Sequence, residues 1–217
     1  MRQRIIYFSL LFNCVYPYLN GSQCDFSENV YQNIELLPFK THGWSLHEEA
    51  ISRIFSSKNI KVVAEVGVWT GKWSIYVAQQ LPPDGKLFAI DHWNGTNEYS
   101  YSEKQLIPTL YQQFLSNVIH SQLTAKIIPM RLDSLEAAKC LKELSISPDL
   151  IYIDASHDYV SVYNDINAYF PLISPGGLLC GDDYSNDWPG VKQAVHEFAE
   201  QHGLSVCIEG NFWYYEI

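Results

Sequence analysis

Basic charge is scarce in this chain: 14 Lys and Arg stand against 24 Asp and Glu, a formal net charge of −10 over 217 residues. Sequence-independent binding to nucleic acid works by neutralising phosphates with lysine and arginine, so no nucleic-acid partner is expected. Repeats of fixed period, low-complexity tracts, zinc-like Cys/His spacings and an interdomain linker are missing too. That leaves room for one α/β-sized domain with a short extension. Cysteines number five. Cys14 lies in an apolar run, and the spacing of Cys24, Cys140, Cys180 and Cys207 suggests buried thiols rather than a disulfide framework. Apolar residues are plentiful at 47%, with 14% aromatic, enough to bury a large core.

The N-terminus is the compositional anomaly. Arg2 and Arg4 precede IIYFSLLFNCVYPYL, residues 5–19, which has the basic and apolar regions of a signal peptide. The run is short for a membrane span, and the following NGSQC has no clean A-x-A cleavage pattern. Residues 1–24 are therefore read as a signal-like or anchor segment with membrane contact through 5–19, the alternative being a buried first helix. Residues 25–60 form an N-terminal extension with a cap helix over Ser45–Phe55, where Ser45 and Glu48 have capping-box spacing. Residues 61–217 are the main domain.

Within that domain strand and helix patterns alternate, which predicts a doubly wound, mostly parallel seven-stranded α/β sheet ending in an antiparallel hairpin around Glu209-Gly210-Asn211. The first unit is the most informative. In VVAEVGVWTGKWS, Val62 to Ser74, a doubly covered strand ends in Glu-x-Gly-x-x-x-Gly and turns into a helix. Gly67 and Gly71 allow close backbone approach, and the helix start supplies free N–H groups. A dinucleotide site would want a glycine where Glu65 stands, since a carboxylate there repels a pyrophosphate. A ligand without phosphates fits better. The next strand, in KLFAIDHW, ends at Asp91, at the distance where a ribose-binding carboxylate belongs.

On EVGVWTG and Asp91 the chain resembles the class I S-adenosylmethionine-dependent methyltransferases. The resemblance implies S-adenosylmethionine as cofactor, with Glu65, Gly67, Trp69 and Gly71 in the first turn, and Asp91 on the ribose. It also implies His92 and Trp93 along the adenosine, and Asp133 and Ser134 after the third strand near the adenine. Ser134 is equally read as the N-cap of SLEAAKCLKEL. S-adenosylmethionine is a cytosolic metabolite, so the export suggested by the N-terminus and the activity suggested by the motif point to different compartments.

Further on, DLIYIDASHDY delivers Asp154 and, three residues later, His157, while SPGGLLCGDDYS delivers Asp182 and Asp183. Adjacent strand ends lie about 5 Å apart, so these three carboxylates would share an ion, and oxygen ligands favour magnesium. The alternatives are that Asp154 orients a cofactor amine and Asp183 caps the helix beginning near Trp188. The pair of motifs resembles the family containing the macrocin-type sugar O-methyltransferases. That likeness implies Asp154, Asp182 and Asp183 as metal ligands and His157 as general base, with Asp154 also at the reacting centre. The implied function is a metal-assisted O-methyltransferase for a small hydroxylated molecule, a sugar among them, with homo-oligomer formation left open. A nicotinamide-dependent oxidoreductase and a non-catalytic exported binding module are the rival readings. LLPFKTHGW, residues 36–44, reads as a packed connection or a lid. The loop after Asp91 carries Trp93, Tyr99 and Tyr101 as candidate substrate contacts.

Overall fold

The computed structural model describes residue 24 and residues 28–43, 46–96 and 100–216. The apolar run 5–19, Ser45 and Tyr99 lie outside them. Among the described residues no helix is long and apolar enough to cross a membrane.

The strands are β1 (Val62–Val66), β2 (Lys86–Ile90), β3 (Ile127–Met130), β4 (Leu150–Ile153), β5 (Leu178–Gly181), β6 (Ser205–Glu209) and β7 (Phe212–Glu216). They form one sheet in the order β3-β2-β1-β4-β5-β7-β6, parallel through β5, with β7 antiparallel to both neighbours. The expected doubly wound sheet with its terminal hairpin is therefore the observed one.

Alternation along the strands sends successive side chains to opposite faces. On one face Val63, Leu87, Ile127 and Tyr152 pack under α1 (Glu48–Ser57), α2 (Lys72–Gln80) and α4 (Leu110–His120). On the other, Ala64, Val66, Phe88 and Ile151 pack under α5 (Ser134–Glu143), α6 (Tyr159–Tyr169) and α7 (Pro189–His202). A four-residue helix, α3 (Tyr101–Lys104), interrupts the loop after β2 and is held by a Ser100–Glu103 capping box. The terminal Trp213 and Tyr215 are fully buried; burying such side chains is worth about 1.5–3 kcal/mol each.

Residues 35–40 are stitched across α4 as a packed connection, and His42 and Gly43 beyond them line the cavity described below. Leu37 N donates to Ser116 Oγ at 3.0 Å, and Lys40 exchanges two 2.9 Å bonds with Asn117, whose Nδ2 also donates to Thr70 O. Gln112, Gln113 and His120 bond the carbonyls of Glu35, Pro38 and Leu37.

Local expectations are corrected in four places. Helix α1 starts at Glu48, not Ser45, after a left-handed His47 (φ 48°) that makes no side-chain cap. Helix α5 is capped by Asp133, whose carboxylate accepts from Leu135 N at 3.1 Å, so Ser134 is its first residue and not its cap. Trp93 is 1% exposed: its own left-handed backbone (φ 53°) turns the indole inward, where Nε1 donates to Trp69 O at 2.8 Å and the ring packs on Tyr111 and Phe114. It lines the core and not an adenosine. Cys24 and Cys140 form a disulfide with Cα atoms 5.5 Å apart, which their separation of 116 residues concealed; Cys180 and Cys207 are free.

Candidate active site

A cavity of about 500 Å³ opens at the carboxyl ends of β1, β2, β4 and β5. Strand order reverses between β1 and β4, and open α/β sheets bind ligands at such switch points. Of the residues singled out from sequence, Glu65, Gly67, Trp69, Asp91, His92, Asp133, Ser134, Asp154, His157, Asp182 and Asp183 all line it. Gly71 does not. It takes φ 81° at the start of α2, where a Cβ would meet the Phe114 ring at 2.7 Å, so its glycine serves the turn and the packing.

Gly67 is a glycine by necessity. At φ 90°, a Cβ on it would lie 1.9 Å from Asp154 O, so only a bare backbone lets the β1 turn meet the end of β4. The turn is held open by Asp91. Its Oδ2 accepts from Val68 N and Trp69 N at 3.1 Å each, and its Oδ1 accepts from Trp93 N at 2.6 Å. A carboxylate offers about four lone-pair sites, so Asp91 shapes the turn with most of its capacity and keeps little for a ribose hydroxyl. His92 Nδ1 accepts from Asn94 N at 2.9 Å. Glu65 is buried and bonded to the Ser74 hydroxyl on α2. Burial pushes its carboxyl well above the ordinary carboxylate range; the Ser74 bond opposes the shift and Asp91 adds to it.

The acidic residues converge only in part. Ligating atoms of Asp154, His157 and Asp183 lie within 4.8 Å of one another. Asp183, in a left-handed conformation (φ 63°), brings Oδ2 to 2.9 Å from His157 Nε2, and the imidazole stacks on Trp188 with centroids 3.9 Å apart. Asp183 therefore orients His157 rather than capping α7, whose N-cap position is Trp188. Asp182 turns the other way: its Oδ2 accepts from the Tyr152 hydroxyl at 3.3 Å, and its Oδ1 lies 2.9 Å from His47 Nε2. The left-handed backbone of Asp183 breaks from the strand, so the two neighbouring carboxylates meet different partners. Burial, then Asp182, Asp183 and Glu65, and a hydrogen bond with Asp183, push the Asp154 carboxyl well above the ordinary carboxylate range.

Several lining residues escaped the sequence reading. Asp165 on α6 accepts from Ser134 Oγ at 2.5 Å, and burial raises its carboxyl to about 6 against the lowering effect of that bond. The signal was available: Asp165 sits on the same stripe as Val162, Ile166 and Tyr169, the buried face of its helix. Lys72 enters one residue after Gly71, its Nζ donating to Gly43 O at 3.0 Å. Trp73 stacks on Tyr152, and its buried Nε1 has no hydrogen-bond partner. His42, Leu46 and Glu103 reach the cavity through long-range packing that no local pattern encodes.

A glycine turn after β1, a carboxylate after β2 and this strand order together define a class I methyltransferase domain. A family model described as a methyltransferase domain matches residues 64–184, more than half of the chain. The chain belongs to that family of S-adenosylmethionine-dependent methyltransferases. Among solved structures, an O-methyltransferase from Bacillus cereus in complex with S-adenosylhomocysteine is 16% identical with TM-score 0.60, covering 82% of this chain and 83% of that one. A TDP-rhamnose 3'-O-methyltransferase of calicheamicin biosynthesis is 17% identical with TM-score 0.58, covering 79% and 77%. At these identities the likeness is one of fold. An uncharacterized protein of Acanthamoeba polyphaga mimivirus is 39% identical over 51 residues, and the match spans 23% of each chain.

Proposed function

We propose that this protein transfers the methyl group of S-adenosylmethionine to a hydroxyl of a small molecule, with a sugar as the leading acceptor class and a divalent cation, magnesium, assisting. The observation that carries the reading is the acidic lining of the cavity. Among its described lining residues are eight carboxyl side chains, those of Glu65, Asp91, Glu103, Asp133, Asp154, Asp165, Asp182 and Asp183, against one lysine. Even with Glu65 and Asp154 shifted toward the neutral form, the wall disfavours a pyrophosphate cofactor and favours a ligand carrying a sulfonium and an ammonium. The cavity fits that cofactor further in the cradle that Gly67 leaves open and in the orphaned Trp73 N–H, a donor awaiting an acceptor.

The bound sulfonium supplies an already electrophilic methyl group, so the work of the protein falls on the acceptor oxygen. His157, aligned by Asp183 and Trp188, would take the proton of the acceptor hydroxyl, freeing its oxygen for the methyl group that the cofactor would supply. Asp154 and Asp183 are the residues that would hold the cation, which lowers the pKa of a coordinated hydroxyl. Support for a sugar comes from the motif likeness and from the TDP-rhamnose 3'-O-methyltransferase neighbour.

The test is transfer of labelled methyl to a panel of free sugars, glycosides, catechols and amines, with magnesium or with EDTA. Label is expected on a hydroxyl, and EDTA is expected to reduce it sharply. Label confined to amines would overturn the acceptor class, and full transfer in EDTA would remove the metal.

A further inference from the structure

Asn94, Gly95 and Thr96 spell Asn-x-Thr, the acceptor triplet for N-linked oligosaccharide in chains that traverse a secretory lumen. Triplets of this kind arise by chance, so compartment and exposure decide their meaning. Asn94 is exposed on the irregular loop between β2 and α3, and it is not among the groups lining the cavity. Two independent features bear on compartment. Arg2 and Arg4 followed by the apolar run 5–19 have the layout of a secretory leader. The Cys24–Cys140 disulfide joins residues 116 apart, and such bonds persist in oxidising compartments but are rare where thioredoxin and glutathione keep thiols reduced.

We propose that this chain matures in an oxidising secretory compartment and carries an N-linked glycan on Asn94. In that step the Asn94 amide nitrogen bonds to the anomeric carbon of an oligosaccharide donated on a lipid pyrophosphate. The carbon–oxygen bond to the pyrophosphate breaks, its electron pair leaves with the lipid, and the amide releases one proton. The glycan is rooted three residues beyond Asp91 and two before Thr96, which lines the cavity, so it stands at the rim without filling the site. Small acceptors pass it; a macromolecular acceptor meets a bulky, hydrated obstacle. The conflict between leader and activity then resolves in favour of the lumen, where the cofactor must be supplied by transport.

The test uses the full chain expressed in cultured animal cells. Treatment with peptide N-glycosidase is expected to lower the mass by one glycan and convert Asn94 to Asp, located by peptide mass spectrometry. N94Q removes that shift, whereas N20Q, at the triplet Asn20-Gly21-Ser22, leaves it. Non-reducing peptide mapping is expected to recover Cys24 linked to Cys140. An unmodified Asn94 in protein whose disulfide has formed would overturn the glycan assignment, and recovery of both cysteines as free thiols would overturn the compartment as well. Neither readout requires the variants to fold.

Discussion

Replacing His157 with glutamine is expected to lower turnover by about 10²- to 10⁴-fold, the range in which a positioned general base acts, while leaving the affinity for S-adenosylhomocysteine unchanged. The split follows from where the side chain is held. His157 belongs to the loop after β4, fixed from one side by Asp183 Oδ2 at 2.9 Å and from another by the Trp188 ring. Gly190, on the first turn of α7, packs so closely that a Cβ there would lie 2.6 Å from His157 O, so the loop is located by backbone and survives the loss of the imidazole. Asp183→Asn is expected to reduce turnover too, by loosening the ring and weakening the cation site. Single-turnover methyl transfer beside calorimetric titration of the product checks the split. If H157Q lost cofactor affinity in step with rate, the residue would belong to the cofactor site and the base would be another group.

A second large effect is expected at Gly67. An alanine there would place its Cβ 1.9 Å from Asp154 O and 2.5 Å from Asp154 C while holding φ near 90°, so the β1 turn and the β4 end must part. Overpacking of this kind costs about 1–3 kcal/mol, and a left-handed backbone adds about 1–2 kcal/mol for a residue with a Cβ. The same movement displaces Val68 N and Trp69 N from Asp91, dismantling the cofactor turn as a unit. Gly67→Ala is therefore expected to abolish binding of S-adenosylhomocysteine and lower the melting temperature by several degrees. Gly176→Ala is the control: it has a similar φ of 80° but nothing within 4 Å, so only the backbone cost applies. Binding by G67A equal to wild type would mean that the cofactor does not use this turn.

The parts of this molecule that read directly from its residues are those set by periodicity and punctuation. The helix over Leu110–His120, the buried strands and the terminal hairpin each carry a local pattern strong enough to fix them. What could not be read depends on direction. Asp182 and Asp183 are indistinguishable as letters, yet the turn after β5, left-handed at Asp183, leaves one beside Tyr152 and His47 and the other beside His157. Trp93 follows Asp91 closely enough to suggest a ligand contact, and a single left-handed φ carries it into the core. Asp91 was legible as a site residue, but its role in holding the turn required its three amide partners to be seen. The disulfide and the packing of residues 35–40 on α4 join segments far apart in sequence, where no local rule applies. Two left-handed residues, Trp69 and Asp183, line the cavity, as strained backbone does where a site is being shaped.

The central claim is that the acid-walled cavity at the β1–β4 switch point receives an adenosyl cofactor without phosphates. Titration calorimetry of the full chain with S-adenosylhomocysteine, S-adenosylmethionine and NAD tests it most directly. Saturable one-to-one binding of the two adenosyl ligands, with no heat of binding from NAD, is the expected result. Binding of NAD with silence from both adenosyl ligands would contradict the account.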